Sequence, residues 1–79
     1  MSHVPHELHE EFPNDSQRIH DLKVSNAHFA RIAERYHALN RDIHRVEAGV
    51  QAMSDESLET LKKQRLLLKD EVASMLVKA

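Results

Sequence analysis

The sequence has no cysteine and no tryptophan, and only one glycine and two prolines among its 79 residues. Without cysteine the chain can form neither a disulfide framework nor a thiolate metal site, which suits a reducing compartment. The scarcity of glycine and proline, together with a charged fraction of 30%, favours helix over almost the whole chain. No strand pattern, repeat or low-complexity tract is present. A chain of this size forms one domain at most, with a thin core.

Long apolar runs and an excess of one charge are also missing. The longest apolar run is Leu66-Leu67-Leu68, far short of the roughly 20 residues that span a bilayer. The first residues lack the basic and apolar regions of a secretory signal. We therefore expect a cytoplasmic protein without a membrane partner. A net charge of −2 argues against a dedicated nucleic-acid-binding protein, which would carry a marked basic excess.

Proline and polar residues predict two short helices near the N-terminus. Pro5 suits the first turn of a helix that stops at Phe12 and Pro13, because the missing N–H of proline would be unpaired in a first turn anyway. One of the three polar residues at 14–16 then predicts the start of a second short helix, which continues through Lys23.

Two longer helices are delimited by stronger signals. Ser25-Asn26 predicts a break and a new cap, followed by a helix that runs from Ala27 to about residue 48, and Gly49 is placed to end it in a left-handed conformation. Ser54 or Asp55 predicts the start of the last helix, where acidic residues in the first turns suit the helix dipole. That helix continues to about residue 77.

Each long helix carries an apolar stripe with the alternating steps of three and four residues that are typical of a helical seam. The stripes are Phe29, Ile32, Tyr36, Leu39, Ile43, Val46 and Leu58, Leu61, Arg65, Leu68, Val72, Met75. If the chain reverses near Met53, they pair in one register: 29 with 75, 32 with 72, 36 with 68, 39 with 65, 43 with 61 and 46 with 58. The sequence therefore predicts an all-α fold, an antiparallel, coiled-coil-like two-helix hairpin with one or two short N-terminal helices. Its parts are N-terminal helical segments over residues 1–26, partly mobile, and the hairpin over residues 27–79, with a hinge at about 49–54.

A second, smaller apolar stripe lies on the last helix, roughly 130° from the seam. It is formed by Leu66, Ala73 and Val77, and Leu67 lies on neither stripe. Burying one leucine contributes roughly 1.5–3 kcal/mol, so this surface should be covered. Either the N-terminal segments fold over it or a second copy of the chain does, and the sequence leaves both open.

Cations lie beside the smaller stripe. Arg65 occupies a seam position, where its aliphatic stem can pack against Leu39 while the guanidinium reaches towards Asp42. The neighbouring lysines form a solvated helix face in the simplest interpretation, and a site for phosphate or an acidic partner in the alternative. No aromatic side chain is near enough to stack on bases. The candidate interaction surface consists of Lys62, Lys63, Arg65, Leu66, Lys69, Ala73 and Val77.

Seven histidines are the one compositional excess. His3, His6 and His9 are spaced by three residues and could offer imidazoles to a divalent metal, although successive members diverge by about 60° around a helix. The simpler interpretation is a solvated N-terminus, and we expect no bound metal or cofactor. His37 and His44 share an edge of the long helix. We interpret them as surface histidines, with a pH-sensitive contact as the alternative.

The last helix contains the run Leu61-Lys62-Lys63-Gln64-Arg65-Leu66-Leu67-Leu68-Lys69-Asp70-Glu71. This run resembles the leucine- and lysine-rich motif of the YdcH-like family, small bacterial proteins of unknown function that are predicted to form coiled coils. Similarity extends upstream through Phe12-Pro13, Ile19, Leu22, Phe29 and Tyr36-His37-Ala38-Leu39-Asn40, so it covers roughly residues 8–77. The resemblance implies a bacterial, cytoplasmic, helical protein and supplies no catalytic residues.

Histidine catalysis would need a nucleophile or a carboxylate partner in a pocket, and a two-helix seam leaves no room for a pocket of ligand size. We therefore expect no catalytic residue. The leading hypothesis is a non-enzymatic helical protein that acts by protein–protein interaction, with an unknown protein partner, or by self-association into a homo-oligomer. The alternative is weak binding of nucleic acid or another anion through the basic edge of the last helix.

Overall fold

The computed structural model describes residues 6–78 of the chain. They form four α-helices, α1 Leu8–Glu11, α2 Ser16–Ser25, α3 Ala27–Glu47 and α4 Asp55–Lys78, with a 3₁₀ turn Pro13–Asp15 between the first two. No strand occurs within residues 6–78. The prediction of an all-α fold is therefore confirmed.

The break between α1 and α2 follows from Pro13, which has no N–H to donate to a preceding carbonyl. Phe12 leaves the helical region, with φ −129° and ψ 65°, because proline disfavours that region for the residue before it. The Ser16 hydroxyl donates to the Pro13 carbonyl at 3.3 Å, so the chain re-enters a helix at once. The predicted place of Pro5 in a first turn lies outside the described residues.

Side-chain caps start both long helices. Asn26 is extended, with φ −129° and ψ 108°, and its Oδ1 accepts the backbone N–H of Phe29 at 3.1 Å. The Oγ of Ser54 accepts the backbone N–H of Ser57 at 3.1 Å. Each bond satisfies one of the backbone donors that the first turn of a helix leaves unpaired. Of the two predicted starts for α4, the side chain that caps it is therefore that of Ser54.

The end of α3 is fixed by Gly49, whose φ is +78°. Its backbone N–H donates to the Val46 carbonyl at 3.1 Å, and the N–H of Val50 donates to the Arg45 carbonyl at 2.9 Å. These two bonds form a Schellman motif, which needs a left-handed residue at this place. Glycine adopts that conformation without a steric penalty. The predicted helix end is confirmed.

The core joins both long helices to the N-terminal segment. Its buried members are Leu8, Ile19, Phe29, Ile32, Ala33, Tyr36, Val72 and Leu76, with Phe12, Leu22, Leu68 and Met75 packed against them. Two of the buried side chains, Leu8 and Ile19, come from α1 and α2. The N-terminal segment therefore covers the seam between the long helices, whereas Leu66 and Val77 of the second stripe remain exposed and only Ala73 is half-buried beside Phe12.

Leu76 is the main addition to the predicted seam. It was placed on neither apolar stripe, yet only 3% of its surface is exposed. It is buried because the chain from Phe12 to the start of α2 packs beside the end of α4. Phe12 and Leu76 line one cleft, and the Arg18 guanidinium reaches the Leu76 carbonyl, with Nη1 donating at 2.7 Å. A stripe predicted from the contact of two helices alone does not include a residue that a third segment buries.

Polar contacts between α3 and α4 pair early residues of one helix with late residues of the other. His28 Nε2 lies 3.3 Å from Glu71 Oε1, Arg65 contacts Asn40, and Lys62 Nζ lies 3.0 Å from Glu47 Oε2. The loop of residues 48–54 joins the helices at the last of these contacts. The two helices thus contact each other from near the start of α3 to its last turn.

Candidate interaction surface

Arg65 is held by a buried amide on the facing helix. Its Nη1 donates to Asn40 Oδ1 at 2.9 Å, and Asn40 is only 1% exposed. The expected contact of the guanidinium with Asp42 is corrected by this hydrogen bond. The amide oxygen of Asn40 is thereby satisfied inside the seam, and it accepts one of the guanidinium N–H groups. Arg65 thus joins α4 to α3 by a hydrogen bond across the seam.

The lysines of the predicted basic edge each have a carboxylate partner. Lys62 lies against Glu47 across the loop end, and Lys69 Nζ lies 3.5 Å from Glu11 Oε1 of α1. Lys63 lies 3.6 Å from Glu59 one turn back on α4. Because Lys62 and Lys69 tie α4 to other elements, they do not form an unpartnered basic patch. The alternative function, anion binding through this edge, gains no support from the structure.

The apolar members of the predicted surface are mostly exposed. Leu66 is 58% exposed and Val77 84%, whereas Ala73 is half-buried beside Phe12 and Leu76. Leu67, which belonged to neither stripe, is 68% exposed. Leu66 and Leu67 are neighbours on a helix whose opposite side is buried, and with Val77 they form the exposed apolar strip of its outer face. In the sequence, the exposure of Leu67 was indicated by its position outside the seam.

Sequence reasoning also missed the cleft beside Leu67. Leu67 and Leu68 line it together with Arg35, Leu39 and Gln64, and its volume is about 400 Å³. The cleft runs between α3 and α4 on the side away from the N-terminal segment. Its apolar floor continues the exposed surface of Leu67 towards α3.

A hydrogen-bonded clasp holds the start of the described chain against α3. The hydroxyl of the buried Tyr36 donates to the His6 carbonyl at 2.6 Å. Burial first of all, and then the negative charge of Glu11, raise the pKa of Tyr36 to about 12, while Arg65 acts in the opposite direction. The neutral phenol is thus strongly favoured, as its role as a donor requires. His6 has a φ of +64°, which the clasp holds in place.

Histidines and carboxylates pair around this clasp. His37 Nδ1 lies 2.9 Å from Glu7 Oε2, and His6 Nδ1 lies 3.1 Å from Glu11 Oε1. The interpretation of His37 as a plain surface histidine is therefore incomplete, since it holds α3 to the residue before α1. His3 of the predicted metal set lies outside the described residues. Within residues 6–78 no group of three histidine or acidic side chains is placed to hold a metal ion.

None of the helices described by the structure is both long enough and apolar enough to cross a membrane. Residues 6–78 thus define a small all-helical protein with paired surface charges and an exposed apolar strip on its last helix. The chain matches DUF465, a family described as proteins of unknown function, over residues 29–76. That region is more than half of the chain and contains most of α3 and α4, so the protein belongs to this family.

DUF465 corresponds to the YdcH-like family, and the resemblance seen in the last helix is confirmed. The N-terminal segment before residue 29 lies outside the matched region, although it contributes to the core. No curated protein and no solved structure matches the chain.

Proposed function

We propose that this protein is a non-enzymatic helical module that binds another protein chain through the outer face of α4. One observation carries the proposal: Leu66 and Leu67 are more than half exposed on the side of α4 that faces away from the core. Large apolar side chains that are grouped on a surface mark contact sites more often than isolated ones do. Covering them would supply the binding energy.

The scaffold for this face is, in our proposal, an antiparallel, coiled-coil-like hairpin over residues 27–79 with its hinge at about 49–54. The contacts of His28 with Glu71, Asn40 with Arg65, and Glu47 with Lys62 support this arrangement, because their order reverses from one helix to the other. Residues 1–26 form the N-terminal part. Their described portion packs on one side of the hairpin and leaves the outer face of α4 uncovered.

A non-enzymatic role is supported by the chemistry of the described side chains. The titratable groups pair along the surface, as in Lys62 with Glu47 and His37 with Glu7. The cleft between α3 and α4 is lined by Arg35, Leu39, Gln64, Leu67 and Leu68, a set without the pair of nucleophile and base that covalent catalysis needs. Action inside the cytoplasm fits a chain without cysteine. We therefore propose binding rather than turnover.

The test compares the protein with a variant in which Leu66→Gln and Leu67→Gln are combined. Tagged protein is used to capture both an untagged copy of itself and other proteins of the same cells. The matched control is Val24→Gln with Val50→Gln, since these valines are as exposed as the leucines but lie elsewhere. We expect binding that the leucine variant loses and the valine variant keeps. Binding that survives in the leucine variant contradicts the proposal, as does the absence of binding both in this capture and in sedimentation of the concentrated protein.

A further inference from the structure

We propose that the chain bound by the outer face of α4 is a second copy of this protein, packed antiparallel across a two-fold axis between Leu66 and Leu67. This inference rests on the proposed function and names its partner. In a two-fold interface the same surface serves both copies, so it must be complementary to itself. The outer face of α4 meets that requirement in its apolar residues and in its charges.

The apolar centre is formed by the two exposed leucines. In the proposed arrangement Leu66 of one copy packs beside Leu67 of its partner, and the same contact recurs on the other side of the axis. At about 100° per residue these side chains diverge to either side of the face that points away from Val72, which is fully buried in the core. The axis therefore passes through the middle of the exposed side of α4.

The charges flank this centre symmetrically. Lys63 lies three residues before Leu66, and Asp70 lies three residues after Leu67. Seven residues apart, they differ by only about 20° around the helix, so both lie near the centre of the outer face. A two-fold antiparallel pair places Lys63 of each copy against Asp70 of the other. A parallel pair would bring like charges together, which disfavours that orientation.

Both charged groups are placed to accept a partner. The Lys63 side chain is 75% exposed, and its contact is a local one with Glu59. Asp70 is exposed and makes no hydrogen bond or ion pair with the side chains described by the structure. Lys62 and Glu71 are instead held by Glu47 and His28 at the edges of the α3 contact. Among the described residues, neither Lys63 nor Asp70 is thus held by another element of the fold, and both are accessible to a second copy.

The pattern also limits the size of the interface. One turn further out, Glu59 of one copy lies opposite Ser74 of the other, a pair that is neither repulsive nor attractive. Beyond that, Glu56 of one copy lies opposite the apolar Val77 of the other. Complementarity therefore covers about three turns at the centre of α4 and ends there. A contact of this size forms a weak dimer that depends on protein concentration.

The test is a charge exchange followed by analytical ultracentrifugation between about 10 µM and 1 mM, a range that suits weak association. Lys63→Asp and Asp70→Lys should each lower the dimer association constant about tenfold or more, since each places like charges together twice. An equimolar mixture of the two variants should associate, because every facing pair is then opposite in sign. The variant carrying both exchanges should also recover self-association.

Arg41→Asp serves as the matched control, since it replaces an exposed cation on α3 by an acid and should leave self-association unchanged. Circular dichroism checks that each variant keeps its helix content. A wild type that stays monomeric over the whole range, or charge variants that do not pair when mixed, overturns the two-fold proposal. If a different protein is then captured in a manner that needs Leu66 and Leu67, the proposed function still stands. If nothing is captured, both fail.

Discussion

Where the N-terminal segment packs on α3 and α4, Phe29, Tyr36 and Val72 are completely buried, whereas close to the loop of residues 48–54 Val46 and Leu58 remain partly exposed. We refer to these regions as the covered end and the loop end. The same kind of heptad stripe runs through both. Two helices bury the residues at the centre of their contact, such as Ile43, but the flanks of that contact need a third element. α1 and α2 supply that element at the covered end alone.

The test with the largest expected effect replaces one apolar side chain at each end. Phe29→Ala should lower the free energy of unfolding by about 3–5 kcal/mol, because it removes a large side chain from a closed site. Leu61→Ala, near the loop end and half-buried, should cost about 1–2 kcal/mol, since water can enter the space. Urea unfolding followed by circular dichroism measures both. Equal losses would show that the two ends are packed alike.

A second test uses the clasp at the covered end. The pKa of Tyr36 is raised to about 12 from an ordinary value of about 10, because the folded chain favours the neutral phenol. The resulting stability is fully present below pH 10 and is lost as the pH rises towards 12. The loss amounts to about 2–3 kcal/mol. Since Tyr36 is the one tyrosine and tryptophan is absent, phenolate absorbance reports this group directly.

We expect an absorbance midpoint near pH 12 in the folded protein and near pH 10 in concentrated urea. Tyr36→Phe is the control, because it keeps the ring and removes the ionisable hydroxyl. Its stability should fall less between pH 10 and 12 than that of the wild type. The same midpoint with and without urea would mean that Tyr36 is not buried and that the clasp is open.

The smallest effect is expected at the loop end. Gly49→Ala should cost about 1 kcal/mol, because φ is +78° and alanine rarely adopts the left-handed region. A Cβ at this position meets no atom within 4 Å, so the cost is one of backbone conformation and not of space. Gly49→Asn should recover part of the loss, since asparagine tolerates that conformation. If alanine and asparagine cost the same, steric crowding rather than conformation decides the position.

Between the two ends lies the polar pair of Asn40 and Arg65. The seam pattern placed Arg65 correctly among apolar positions, and the structure buries much of it there. Its partner was wrongly expected to be Asp42. A helical pattern identifies which side of a helix faces its neighbour, but the choice between two polar residues half a turn apart depends on the exact approach of the two backbones.

For a similar reason, the sequence predicted some properties of the candidate surface and missed others. Leu66 and Val77 were expected to need a cover, and they remain exposed in the described chain. The lysines beside them were expected to form a solvated face, and Lys69 turns out to reach Glu11. That contact joins residues far apart in the chain, so no local spacing could reveal it. Which apolar residues of α4 stay exposed depends on where the N-terminal segment packs.

The sequence alone determined where α3 ends and, to within one residue, where α3 and α4 begin. Asn26, Gly49 and Ser54 act on backbone groups within five residues of themselves, so their effect does not depend on the rest of the fold. The tertiary structure decided which apolar residues beyond the seam are buried. Leu76 is covered and Leu66 is not, because the segment around Phe12 and Arg18 reaches one of them and not the other. Burial depends on which distant segment occupies the space above a side chain, and that is settled only when all segments pack together.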